Sequence, residues 1–68
     1  MKIEYDKEAD ATYIYLVESI KNGEVKETKE IQENINFDYD QNGKLLGVEI
    51  LEASKVLSKK SLMNAEST

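Results

Sequence analysis

The sequence predicts an α+β fold: a four- to five-stranded antiparallel β-meander with one or two short C-terminal helices. Three observations predict it. Short stretches of alternating, β-branched or aromatic residues recur up to Glu52. Two Asn-Gly pairs, Asn22-Gly23 and Asn42-Gly43, mark turns, because both residue types tolerate the positive φ of a type I′ turn. After Glu52 the apolar spacing changes from two to three or four residues.

Residues 2–6 alternate, with Ile3 and Tyr5 on one side. Residues 6–10 lack β-formers and read as a helical turn capped by Asp6. Residues 12–18, TYIYLVE, are apolar on both faces, which suits a central strand covered on both sides. Residues 25–31, VKETKEI, are charged, which suits an edge strand guarded against sheet-to-sheet aggregation. Asn34 follows in a tight connection and is a candidate for the left-handed region. Residues 34–40 place Ile35, Phe37 and Tyr39 on one face, and residues 44–52 do the same with Leu46, Val48 and Ile50. Ala53, Val56 and Leu57 share one face of a short helix, and Ser58 is placed to cap a second turn through Leu62 and Met63. The chain is thus expected to divide into residues 1–57, holding the meander and the start of the helical part, and residues 58–68, a helical turn and a frayed tail. Strand order is expected to follow the sequence.

Hydrophobic pairing specifies the last hairpin. A two-residue turn at Asn42-Gly43 sets Tyr39 opposite Leu46, Phe37 opposite Val48 and Ile35 opposite Ile50. A three-residue loop sets Phe37 opposite Gly47 and Ile35 opposite Glu49, turning the core face outward. A four-residue loop restores the apolar pairs, so two or four residues are expected.

Composition narrows the function classes. The 68 residues make one small domain. With no cysteine and no histidine, the chain has no disulfide, no thiol nucleophile and neither the commonest general base nor the commonest transition-metal ligand. A domain this small buries a marginal core, so a homo-oligomer, most simply a dimer, is the expected way to hide more apolar area. Residues 1–52 carry 6 Lys against 13 acidic residues, a net of −7, and no basic residue is an arginine. Such a body repels a nucleic-acid backbone and lacks the preferred reader of phosphates, whereas a basic protein partner suits it. The first residues contain no apolar signal segment, and no run approaches the ~18 apolar residues that span a bilayer. The expectation is a cytoplasmic protein without membrane, nucleic-acid or cofactor dependence.

Two segments together resemble a known family. Residues 5–14, YDKEADATYI, and 38–54, DYDQNGKLLGVEILEAS, are similar to the bacterial and archaeal family called domain of unknown function 2283. The resemblance extends over residues 1–57. It implies a small β-meander with a C-terminal helical piece, no accepted catalytic residues and, from the toxin-like neighbours of some members' genes, an antitoxin-like role.

Four groups of residues are candidates for a site. Residues 38–49 fit the calcium-loop pattern D-x-[DN]-x-[DN]-G-x5-E, with Asp38, Asp40, Asn42, the Lys44 carbonyl and Glu49 as oxygen donors. That loop belongs between two helices, and both flanks here read as strands. The hairpin register also sets Asp38 opposite Gly47 and Glu49 opposite Asn36, so a tight turn is the preferred reading and no metal is expected. Asp6, Glu8 and Asp10 read as capping and solvated groups. Glu4, Asp38 and Glu49 are carboxylates in reach of acid–base chemistry only if burial separates their pKa values. No nucleophile stands beside a base, and enzymatic activity is not expected. Tyr13, Tyr15 and Val17 share the strand face opposite Ile14 and Leu16 and are the interface candidates, since tyrosine is enriched at interfaces.

Overall fold

A computed structural model of the chain describes residues 1–67. Five antiparallel strands form a meander-type sheet, β1 (Lys2–Asp6), β2 (Ala11–Tyr15), β3 (Glu27–Gln32), β4 (Ile35–Tyr39) and β5 (Leu45–Leu51). Two short helices follow, α1 (Ala53–Val56) and α2 (Lys59–Met63), and then a two-residue strand, β6 (Glu66–Ser67). The α+β class is as expected. Among the described residues no helix is long and apolar enough to cross a membrane.

Strand order is the main correction. The sheet runs β3-β4-β5-β2-β1-β6, so β2 pairs with β5 and not with β3. Sequence order would have put the charged β3 in the middle of the sheet. All six of its residues are exposed, as an edge demands. β2 keeps a partner on each side, β1 and β5, and β5 moves from the rim that sequence order assigns it into the middle of the sheet. Residues 16–26 carry the chain past β5 and β4, so Asn22-Gly23 turns within a crossing loop (Gly23 φ 80°) and closes no hairpin. The loop begins before Val17, because β2 stops at Tyr15.

The β4–β5 hairpin keeps the expected apolar pairs by a different route. Ile35 faces Ile50, Phe37 faces Val48 and Asp38 faces Gly47, but Tyr39 faces Leu45. The Asp40 N–H donates to the Lys44 carbonyl at 2.9 Å, which closes a three-residue loop, 41–43. Such a loop alone would turn Phe37 onto Gly47. The register shift beside Leu46 absorbs the difference by setting two residues against one, as a β-bulge does. Gly43, at φ 77°, takes the left-handed conformation that ends this kind of loop.

Other local expectations are met. Asp6 Oδ1 accepts from the Glu8 and Ala9 amides, Asn34 has φ 70°, and Ser58 Oγ accepts from the Ser61 amide at 3.1 Å. In the tail, β6 runs parallel to β1, with Glu66 paired with Glu4 and Ser67 with Tyr5, and the last residue of the expected frayed end, Thr68, lies outside the described residues.

The two sheet faces differ. One carries Ile3, Tyr5, Thr12, Ile14, Ile35, Phe37, Val48 and Ile50, which the registers place side by side. Burial on it is deep near α1, where Thr12 is 1% exposed, Ile50 5% and Ala53 0%, and at Leu46 (3%) toward the start of β5. Ile3, Ile14, Ile35, Phe37 and Val48 stay half-buried.

Candidate functional site

The opposite face holds the tyrosines. Alternation along β2 sends Tyr13 and Tyr15 there, and the ladders set Glu4 and Glu49 on either side of Tyr13. The two rings meet edge to face, with centroids 4.8 Å apart. Tyr13 donates its hydroxyl to Asp38 Oδ2 at 2.7 Å, and Tyr15 donates to Glu4 Oε1 at 2.9 Å. Asp38 also accepts from Thr28 Oγ1, and Glu49 Oε1 accepts from Asn36 Nδ2 at 3.2 Å. Lys2 lies 3.5 Å from Glu4 and above the Tyr15 ring.

Gly47 makes the Tyr13–Asp38 bond possible. Asp38 stands on β4, one strand beyond Tyr13's neighbour β5, and Gly47 is its partner on β5. The Tyr13 ring passes over Gly47 to reach it. A Cβ at 47 would lie 2.5 Å from the Tyr13 hydroxyl oxygen and 2.6–2.7 Å from ring carbons. A glycine inside a strand signals such close passage, and Gly47 opposite Asp38 is readable in the sequence. Which strand lies on β5's other side is not.

Electrostatics follow this geometry. Burial pushes the Tyr13 phenol well above its ordinary value, and the Asp38 carboxylate it donates to adds to the shift. The hydrogen bond to Glu4 raises Tyr15, with desolvation second. Both phenols are therefore neutral donors near neutral pH.

A shallow cleft of about 200 Å³ lies on this face, lined by Glu4, Asp6, Ala11, Thr12, Tyr13 and Glu49. Small-molecule sites usually offer ~300 Å³ or more. The Thr12 side chain points to the other face, beside Ile50 and Tyr5, and its hydroxyl finds no hydrogen-bond partner among the described residues.

The calcium-pattern residues are spread out. Asp40 Oδ1 is occupied by the Asn42 and Lys44 amides at 2.9 Å each, a local turn bond of the sort aspartate makes. Asp38 and Glu49 sit on the tyrosine face with the partners given above. Among the described residues no three acidic side chains converge as a metal cage would require. Of the interface candidates, Tyr13 and Tyr15 share the tyrosine face, while Val17 lies beyond the end of β2, half-buried in the loop.

One linkage has no signal in the local sequence. Asp10, at φ 51°, accepts from the Tyr5 hydroxyl at 2.8 Å and from the Ser54 amide and hydroxyl at 3.0 and 2.7 Å. Its carbonyl takes the Ala53 amide. The Ser54 and Tyr5 bonds hold the Asp10 carboxyl below its usual range, with Lys55 adding to the effect. Asp10 thereby ties the β1–β2 turn to the start of α1.

The sequence model of one family, described as "Protein of unknown function (DUF2283)", matches residues 2–54. No curated protein matches, and no solved structure does.

Proposed function

The chain belongs to the DUF2283 family, whose members are described as proteins of unknown function, and we propose from the sheet itself that it is a non-enzymatic protein-interaction module acting as a homodimer. The observation that carries the reading is the open, single-layer form of the sheet. The accessible surface is 5018 Å², whereas a folded monomer of this mass exposes roughly 4,400 Å². The radius of gyration is 11.9 Å, against about 10.9 Å for a compact chain of this length. On the apolar face of this open sheet Ile3, Ile14, Ile35, Phe37 and Val48 are only half-buried. Apolar patches of this kind mark sites of association.

Analytical ultracentrifugation from low to high micromolar concentration tests the reading. The expected result is a reversible dimer. A strict monomer at the highest concentration overturns it.

A second reading, a basic protein partner in the antitoxin-like manner, is favoured by the carboxylates of Glu4, Asp6 and Glu49 around the cleft on the tyrosine face. A lysine-rich peptide is the probe. Shifts of the Tyr13 and Glu49 amides at low salt, fading at high salt, are expected. Unmoved amides remove the reading.

A further inference from the structure

We propose that the homodimer forms by antiparallel pairing of β3 with β3 of a second copy, centred on Thr28. The proposal rests on the homodimer reading above for the presence of a second copy, and its contact is the sheet edge, distinct from the half-buried apolar face. β3 ends the sheet on one side, and every residue in it is exposed, so its outer edge offers unpaired backbone donors and acceptors. The occupant is read from the strand's own residues. Residues 25–31 are V-K-E-T-K-E-I. Run against itself about Thr28, this segment sets Glu27 opposite the partner's Lys29, Lys26 opposite the partner's Glu30, Thr28 opposite the partner's Thr28 and Val25 opposite the partner's Ile31. Each charged residue in the segment meets its opposite, and each apolar residue meets an apolar one. Directly opposed pairs are the unit that stabilises a ladder, and like charges there oppose pairing. A two-fold axis is the symmetry that a self-complementary strand creates.

The geometry fits this register. The Lys26 N–H donates to the Tyr39 carbonyl at 2.8 Å, so the chain already lies along β4 one residue before Glu27. The β3–β4 ladder is regular from Glu27 to Glu30 and shifts between Glu30 and Gln32, beside Ile31. The straight part of the edge, Glu27 to Glu30, thus holds Glu27, Thr28 and Lys29, the centre of the charge-matched part. Glu27 and Lys29 lie on one face, paired within the strand at 4.0 Å and more than half exposed, with Lys29 also above the Tyr39 ring, so dimer formation exchanges this loose pair for pairs with the partner's Lys29 and the partner's Glu27. Ile31 is 50% exposed, an apolar side chain on the rim that the partner's Val25 would cover. Pairing about an axis normal to the sheet makes one continuous sheet, with the apolar faces of both copies on the same side.

Charge exchange tests the proposal by ultracentrifugation. In a symmetric dimer, Lys29→Glu places two acidic side chains opposite each other at both contacts. Glu27→Lys places two basic side chains opposite each other at the same contacts. Each variant alone should associate about tenfold more weakly. An equimolar mixture of the two restores opposite charges at both contacts and should recover wild-type association as a heterodimer. The exposed strand tolerates these changes, and unchanged circular dichroism of each variant checks the fold. A wild-type dimer whose strength neither variant alters, or single variants that the mixture fails to rescue, overturns the β3 contact and leaves the homodimer reading standing. A monomeric wild-type protein overturns both.

Discussion

β5 and β3 lie two positions apart in one sheet, yet they are built to opposite rules. β5 is flanked on both sides and holds Leu46 (3% exposed), Gly47 and Ile50 (5%) in buried positions. β3 has a neighbour on one side only and buries no residue. Both are strands by their backbone bonds, but β5 is paired along both edges and β3 along one. The difference teaches that the centre of this sheet supplies folding stability, whereas the rim is free to carry charged side chains.

Substitutions can break or sharpen that contrast. Ile50→Ala should have the largest effect, a loss of about 3 kcal/mol in urea unfolding, because the side chain is nearly fully enclosed. A loss under about 1 kcal/mol would mean that the centre is not tightly packed. Gly47→Ala comes next, at about 2 kcal/mol, since the added methyl meets the Tyr13 ring, with the Tyr13 signals shifting in NMR spectra. Wild-type stability in this variant would refute the close passage of Tyr13 over β5.

Asp10→Asn should cost less, and its cost should depend on pH. Asp10 titrates below its ordinary value when folded, so its carboxylate stabilises the fold above the unfolded pKa of ~3.9. That contribution fades as pH falls through the lower folded value. Wild type and variant should differ at neutral pH and converge in acid. A difference independent of pH would show that the carboxylate charge is not what ties Asp10 to Ser54.

Thr12→Val should reverse the sign. It replaces a buried hydroxyl without a partner by a methyl of similar shape, and a gain of about 1 kcal/mol is expected. A loss of that size would reveal a hydrogen bond to that hydroxyl. The smallest effect belongs to the rim. Gln32→Ala should stay within about 0.5 kcal/mol of wild type, and a larger loss would erase the contrast between the two strands.

Much of this architecture is legible in the residues. The strand segments, the left-handed Asn34, the Ser58 cap, the exposed charged edge and the Phe37–Val48 pairing follow from period-two alternation and turn chemistry. The length of the last turn is not legible, because a bulge at Leu46 undoes the shift that a three-residue loop causes, and Leu46 offers no distinctive signal for it. Strand order departs from expectation for a different reason. The charge of β3 marks it as an edge, and an edge strand is incompatible with the central place that sequence order assigns it.

The tyrosine face shows the same division. Alternation places Tyr13 and Tyr15 together, but their bonds to Asp38 and Glu4 depend on which strands are neighbours. Asp10 reaches Ser54 across 44 residues of sequence, and no local pattern indicates that meeting.

The sequence by itself determined where the chain runs extended, where it turns and which side of each strand is apolar, because those preferences are set by residues within a few positions of one another. Only the tertiary structure decided that β5 enters beside β2, that Tyr13 crosses Gly47 to Asp38 and that Asp10 holds Ser54. Those choices give the apolar β2 and β5 a neighbour on each side and leave the charged β3 at the rim, and that arrangement is set between segments distant along the chain.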